Sequence, residues 1–407
     1  MKRILFVDDE QAVLEALRVR LYRMRSKWDM TFRDSGVKAL QDFEEQPFDV
    51  VVTDLRMPGI DGIEVLRRIS ERWPGTVRIV LSGIEDVELA MRLVPLTHQY
   101  LHKPCDSIEL ESIISRSLSL HELLNRAELR SVVGRIRQLP ATPSAFAKLQ
   151  SAITRDDLGT RDIAKIIGED PAIMAKVLQL VNSAFFRLAR RMTNLERAVA
   201  YLGFNAIRNL VLSAEVFSMW PRAASRAGME LEQRQLELQR VAACAQALTA
   251  GTSIADDTLL AALLQDIGYW VLAQECPDKL QAAFQMSADE GIAECEAERR
   301  MIGASHAEIG AYLLGLWGLP YPVIEAVAHH HTPLQVKHPG FSPLAALTIA
   351  RHFAHDPGCG LPGAQLILGP ERLEEYLTAV GAPFNWPEAE RRVKRYAPMP
   401  QPQEVAV

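Results

Sequence analysis

The chain has 407 residues, of which 48 % are apolar and 24 % charged, and it carries a net charge of −6. That length suits about two or three domains, and the composition is that of globular protein able to bury large cores. The negative balance gives no reason to expect a general electrostatic affinity for nucleic acid. No apolar run approaches the roughly 20 residues of a membrane-spanning helix.

The opening MKRILFVDDE has too short an apolar run for a signal peptide, and acidic residues end it, so it reads as a first strand. Further strands are predicted at Met30–Arg33, Phe48–Thr53, Val77–Leu81 and Gln99–Leu101, after a first at Arg3–Val7. Amphipathic helices are predicted near 11–24, 36–45, 62–72 and 85–94. Five strands alternating with helices predict a doubly wound α/β domain with a five-stranded parallel sheet and right-handed crossovers. The nearly unbroken β-branched run 48–53 suits a central strand covered on both faces.

A helix is predicted from Asp106 or Ser107 to about Arg130. A last domain helix followed by a helical linker accounts for its length. A signalling helix or short coiled coil is the alternative, and the unsustained heptad disfavours it. Leu139-Pro140-Ala141-Thr142-Pro143 breaks the helix. From Ser144 to about Ala397 the pattern is almost wholly helical, without an alternating strand run. Asp170-Pro171 reads as a helix start, Asn182-Ser183 as a helix end, Leu202-Gly203 as a cap, and Met229–Ala250 as one long helix. Phe185-Phe186 reads as core, the three arginines in Arg187–Arg191 as solvated, and 355–370 as a loop. The five cysteines, Cys105, Cys244, Cys276, Cys295 and Cys359, form no C-x-x-C pair, which fits reduced thiols in a cytoplasmic protein.

Four predicted strands end on chemistry-bearing residues: Asp8-Asp9, Asp54, Ser82 and Lys103-Pro104. In an open parallel sheet this carboxyl edge is where ligands bind. Adjacent carboxylates there call for a cation. Asp8, Asp9 and Asp54 are hard oxygen donors suited to Mg²⁺, with the Arg56 backbone carbonyl as a further ligand. Asp54 is placed to be a nucleophile, Lys103 to neutralise a phosphoryl group, and Ser82 to donate a hydrogen bond to it. The glycines of the loop Met57-Pro58-Gly59 to Asp61-Gly62 let the backbone turn close to the site.

These residues, in this order, resemble the CheY-like receiver domains of two-component signalling, over about the first 125 residues. The loop DLRMPGIDG matches the family as well. The resemblance implies Mg²⁺-dependent phosphorylation of Asp54 by a sensor histidine kinase. It also implies a switch made of Ser82 and the aromatic Tyr100, whose bland reading is a half-buried strand aromatic. A homodimer through the receiver's last helical face is a plausible intermediate step in such a switch.

Farther on, Asp266, His306 and His329-His330-His331 could bind a metal and activate water for phosphate-ester hydrolysis, or be simply core and capping histidines. The stretches IIGEDPAIMAKVLQLVNSAFF, LERAVAYLGFNAIRNLVL, LLQDIGYWVL and HAEIGAYLLGLWGLPYPVIEAVAHHHTP resemble an HDOD domain, a relative of the HD and HD-GYP phosphohydrolases. Active relatives carry His where Gln265 stands, another His near 238–242, and Lys where Tyr269 stands. The remnant set is Asp266, His306, His329 and His330. A neutral amide replaces imidazole poorly in such a site. The expectation is therefore a non-catalytic domain without a cofactor of its own, although nucleotide or metal binding without turnover stays open.

The expected domains are a receiver at 1–125, a helical linker at 126–138, an HDOD domain at 139–340, its helical extension at 341–396 and a disordered tail at 397–407. The expected function is a cytoplasmic response regulator, not an enzyme, whose receiver controls binding of a downstream signalling protein. No direct nucleic-acid or membrane partner is expected. The alternative is a receiver-gated phosphodiesterase acting on a cyclic dinucleotide.

Overall fold

A computed structural model describes residues 1–83, 96–103, 105, 107–123, 139–141, 158–182, 191–212, 217–219, 231–336, 340–354, 370–381 and 385–396, with isolated positions 93, 133, 148, 149 and 152. The chain forms two compact units. One comprises Met1–Ile167, Ala172–Trp220 and Tyr312–Leu319; the other comprises Gly168–Pro171, Pro221–Ala311 and Pro320–Val407. Among the described residues no helix is long and apolar enough to cross a membrane.

The N-terminal sheet contains β1 (Lys2–Val7), β2 (Trp28–Arg33), β3 (Val50–Thr53), β4 (Val77–Ser82) and β5 (Gln99–His102). They lie parallel in the order β2-β1-β3-β4-β5, as the alternating pattern predicts. All four residues of β3 are buried, because it is the central strand and both of its faces are covered. Helices α1 (Gln11–Arg20), α2 (Gly36–Glu45) and α3 (Gly62–Arg72) follow the first three strands. The first is shorter than its pattern suggested and gives way to a 3-10 turn at Tyr22–Ser26. Ser35 and Asp61 cap the next two, their side chains accepting from the Lys38 and Glu64 amides. Leu5, Phe43, Val51, Leu66, Ile69 and Val80 make up the centre of the core. The helix predicted at 85–94 lies outside the described residues apart from position 93. The helix predicted from Asp106 is observed as α4 (Ser107–Leu123).

One feature departs from the all-helical expectation for the rest of the chain. Leu139–Ala141 and Phe217–Met219 pair as parallel strands, β6 and β7. Pro140 lacks an N–H and is tolerated in a two-stranded edge, and three-residue strands are too short to show an alternating pattern. Elsewhere helices dominate. Pro171 opens the helix Pro171–Asn182, as expected. Asn182 ends it and holds the returning chain, accepting from the Met192 amide (2.6 Å) and donating to the Met192 carbonyl (2.8 Å). Gly203 (φ +77°) kinks the helix Leu195–Leu212, which it can do because it lacks a Cβ. The long helix Leu231–Thr249 is present with nearly its predicted ends. Phe185-Phe186, most of Arg187–Arg191, the loop 355–369 and the tail 397–407 lie outside the described residues.

Close backbone crossings position the second cluster described below. A Cβ on Gly268 would lie 2.0 Å from the carbonyl oxygen of His306. Backbone cannot yield there as a side-chain tip would. Gly268→Ala is expected to lower stability by about 2–3 kcal/mol in a denaturant titration. An unchanged midpoint would show that the two helices do not cross this closely.

Candidate functional site

Parallel pairing brings the strand ends together at one sheet edge. Val7 is in register with Thr53, Thr53 with Val80, and Ser82 with His102. Asp8, Asp54, Ser82 and Lys103 therefore meet. The Lys103 Nζ lies 2.5 Å from Asp8 Oδ2, 2.5 Å from Asp54 Oδ2 and 4.0 Å from Glu10 Oε1. The second Asp54 oxygen accepts from the Leu55 amide (2.6 Å), and Asp8 Oδ1 accepts from the Glu10 amide (3.0 Å). Burial raises the Asp8 pKa, and the contacts to Lys103 and the Glu10 amide only partly oppose it. Burial alone would lower the Lys103 pKa, but the Asp54 and Asp8 carboxylates outweigh it, and the net shift is upward. A Cβ on Gly62 would lie 1.9 Å from the Asp54 carbonyl oxygen, so this glycine is what allows the loop to fold against the acid.

The ligand-capable carboxylates within 4.8 Å of one another are Asp8, Glu10 and Asp54. Asp9 is exposed and outside this group, as is the side chain of Arg56. Glu10 went unrecognised in the sequence because it looks like the start of α1; the turn in which its amide bonds Asp8 returns it to the site. Ser82 is buried and hydrogen-bonded to the hydroxyl of Tyr100, which is itself only 4 % exposed. Burial raises the Tyr100 pKa, with the bond to Ser82 opposing. Pro104 lies outside the described residues.

A second cluster occupies the helical region. Asp266, His306, His330 and His331 offer ligand atoms within 4.8 Å of one another. Asp266 stands between the helices Ala255–Leu264 and Ile267–Glu275, and His306 opens the helix His306–Leu316. His330 and His331 follow the helix Tyr321–His329. The His306 Nδ1 lies 2.8 Å and 2.9 Å from the two oxygens of Glu298, and its ring stacks on Tyr269 at 3.9 Å. The Tyr269 hydroxyl donates to Glu294, which also pairs with buried Arg234 at 3.3 Å. Burial drives the His330 pKa down to about 4 and that of His331 well below its ordinary value. Burial pushes the Asp266 carboxyl up, but His330, His306 and Arg351 together bring it below the usual carboxylate range.

Of the predicted remnant residues, Asp266, His306 and His330 converge. His329 instead turns to the Thr332 hydroxyl (3.4 Å), and His331 takes its place. Adjacent histidines at a helix end cannot be ranked from spacing, because the chain leaves helical geometry at that point. Gln265 is engaged elsewhere: its amide donates to the Ala262 carbonyl (3.1 Å), and its oxygen accepts from Arg351.

A family model for the response regulator receiver domain matches residues 4–115, and one for the HDOD domain matches residues 139–333. An uncharacterized protein of Treponema pallidum is 30 % identical over 204 residues, which are 49 % of this chain and 39 % of its own. The hydrogenase transcriptional regulatory protein HoxA of Cupriavidus necator is 38 % identical over 107 residues, 25 % of this chain and 21 % of its own. The chain thus spans well under half the length of these curated relatives. Among solved structures, the MmoQ response regulator of Methylococcus capsulatus has a TM-score of 0.49 at 21 % identity, covering 63 % of this chain and 98 % of its own. The receiver domain of an HD domain-containing protein of Pseudomonas fluorescens has a TM-score of 0.28 at 29 % identity, covering 29 % of this chain and 94 % of its own. The sheet order, the strand-end residues and the two matched segments lead to one conclusion: the chain belongs to the response regulators, with a receiver domain followed by an HDOD domain.

Proposed function

We propose that Asp54 accepts a phosphoryl group from a sensor histidine kinase in a Mg²⁺-dependent step, and that the resulting change of state controls binding of a downstream signalling protein by a non-catalytic HDOD domain. The observation that carries this reading is the contact of Lys103 with both Asp8 and Asp54 at the sheet edge. Three carboxylates against one ammonium leave a formal charge of −2, which suits a divalent ion with oxygen ligands. Asp8, Glu10 and Asp54 would hold that ion, with the Arg56 carbonyl as a further ligand, and once bound it would shield the incoming phosphoryl oxygens. An Asp54 carboxylate oxygen attacks phosphorus, the donor's leaving group departs with the bonding pair, and an acyl phosphate forms. Lys103 then pairs with a phosphoryl oxygen, and Ser82 donates to another. Movement of Ser82 would break or reshape its hydrogen bond with Tyr100, so the two act as one switch.

Within the first unit, the residue beside Tyr100 supports a route out of the sheet. Gln99 Nε2 donates to the Leu316 carbonyl (2.6 Å), at the end of the helix that His306 opens. Gly318, at φ +74°, makes room for it, since a Cβ there would lie 2.6 Å from that nitrogen. Gln179 Nε2 likewise reaches the Thr97 carbonyl (3.4 Å). A receiver-gated phosphodiesterase acting on a cyclic dinucleotide is less well supported, because Gln265 stands at the position of a ligand and its polar atoms are already used.

The test is affinity capture from the native cell extract with wild type and Asp54→Asn, each with and without the phosphoryl mimic beryllofluoride. The expected result is a partner whose capture changes with the mimic in wild type alone. Gln99→Leu should keep phosphorylation and lose that dependence. Identical capture in all four conditions would overturn the proposed control.

A further inference from the structure

We propose that the outer edge of β2, with the arginine-lined groove beside it, docks an extended acidic segment of a partner protein, which joins the receiver sheet as a further strand. This goes beyond the phosphoryl switch and uses none of the residues assigned to it.

The sheet order leaves β2 outermost, and among the described residues it pairs only with β1. The Asp8 amide donates to the Arg33 carbonyl (3.1 Å), so the Arg33 backbone faces β1. In a parallel pair the N–H and C=O of one residue point to the same side, and those of the next residue to the other. Thr31 and Asp29 therefore also serve β1, whereas Met30 and Phe32 present their N–H and C=O groups outward. The Arg33 guanidinium takes up the Phe32 carbonyl (3.3 Å). The Phe32 amide and both Met30 groups then form a ladder with no strand across from it among the described residues. Such a row is a template for an added strand.

The surroundings select the charge of that strand. A groove of about 850 Å³ borders β2; Arg3, Arg18, Arg25 and Arg33 line it, against the single carboxylate of Asp29. The arginines stand on both faces of the strand. On one, Arg18 lies over the Phe32 ring at 4.8 Å, and Arg25 lies over the exposed Tyr22 ring at 3.9 Å. On the other, Arg3 pairs with Asp29 (3.6 Å) and Arg33 with Asp42 (2.6 Å). Arg18 also touches Glu15 (2.7 Å), while Arg25 touches no carboxylate among the described residues. An added strand projects successive side chains to opposite faces, so acidic residues on either face meet an arginine. The same charge disfavours a second copy of this chain, because an antiparallel β2–β2 pair would set two arginine groups side by side. Tyr22 and the arginine stems offer apolar surface to the residues between the acids. The six residues of β2 span about 20 Å, which suits a segment of similar length.

The experiment titrates the full chain into a fluorescein-labelled eight-residue peptide of alternating glutamate and valine, at about 50 mM salt, where exposed charges are weakly screened. We expect saturable anisotropy, with hydrogen exchange of the Met30 and Phe32 amides slowed in the complex. Met30→Pro should abolish binding, because proline removes an outward N–H that β1 does not use and so spares the sheet. Arg18→Glu combined with Arg25→Glu should weaken binding about tenfold, and it decides the matter if Met30→Pro fails to fold. The fully N-methylated peptide, equal in charge but unable to pair as a strand, should not bind. Equal binding of that analogue, or of inorganic triphosphate in competition, would reduce the groove to simple anion attraction and overturn strand addition. Unchanged binding in either folded variant, or no binding to wild type, would also overturn it. A concentration-dependent dimer that Met30→Pro abolishes would give the edge to a second copy and overturn the acidic partner.

Discussion

Incubation with a small phosphodonor and Mg²⁺ is expected to label the wild-type chain, and Asp54→Asn is expected to remove that label completely. The neighbouring carboxylates cannot substitute. Asp8 is held by the Glu10 amide and Lys103, and it belongs to the group proposed to hold the ion. A companion variant separates nucleophile from stabiliser. Lys103→Ala keeps Asp54 but removes the ammonium 2.5 Å from it, and labelling should slow about 10²–10³-fold, the usual effect of losing one preorganised charge partner. Mg²⁺ should also raise the melting temperature of wild type, since an ion at ten times its Kd adds about 1.4 kcal/mol. That shift should vanish in Asp8→Asn. Label persisting in Asp54→Asn, mapped to another residue, would sink the phosphoacceptor assignment.

Lys176→Met is expected to stabilise the protein by about 4 kcal/mol at neutral pH. Lys176 is fully buried in the helix Pro171–Asn182, with its Nζ 4.6 Å from the ring centroid of Trp317 and 3.2 Å from Gln179 Oε1. Burial lowers its pKa from 10.5 to about 7. Between those values the unfolded chain holds a proton that the folded chain does not, so stability falls as pH drops from 10.5 to 7, and the full penalty is present below about 7. At neutral pH that difference is worth about 4 kcal/mol. Methionine fills a similar volume without a charge. Denaturant titrations at several pH values should show the wild type gaining stability from pH 7 to 10 while the variant changes less. An equally stable variant with the same pH slope would show that the ammonium is better accommodated than its burial implies.

Much of the receiver was legible because its signals are local. Strand ends fell within one or two residues of the apolar runs for β1, β2, β3, β4 and β5. The acids, the hydroxyl and the lysine follow those runs directly. Glu10 was missed because adjacency along the chain favours Asp9, whereas the turn after Asp8 exposes Asp9 and returns Glu10. The pair β6 and β7 was missed because a three-residue strand has no periodicity, and its partner lies more than 70 residues away in the chain. In the helical region, the loss of imidazole at Gln265 was readable, but which of three consecutive histidines turn inward was not.

The order of residues alone settles the parallel sheet and the strand that carries Asp54. Each follows from side-chain period or chemical type at a single position. Only the folded chain decides that His331 rather than His329 joins Asp266 and His306. It also decides that Gln99 beside Tyr100 bonds the carbonyl of Leu316. Such contacts depend on the direction of a side chain at the end of an element and on a partner far away in sequence. They are fixed by close packing around Gly268 and Gly318, which local sequence does not encode.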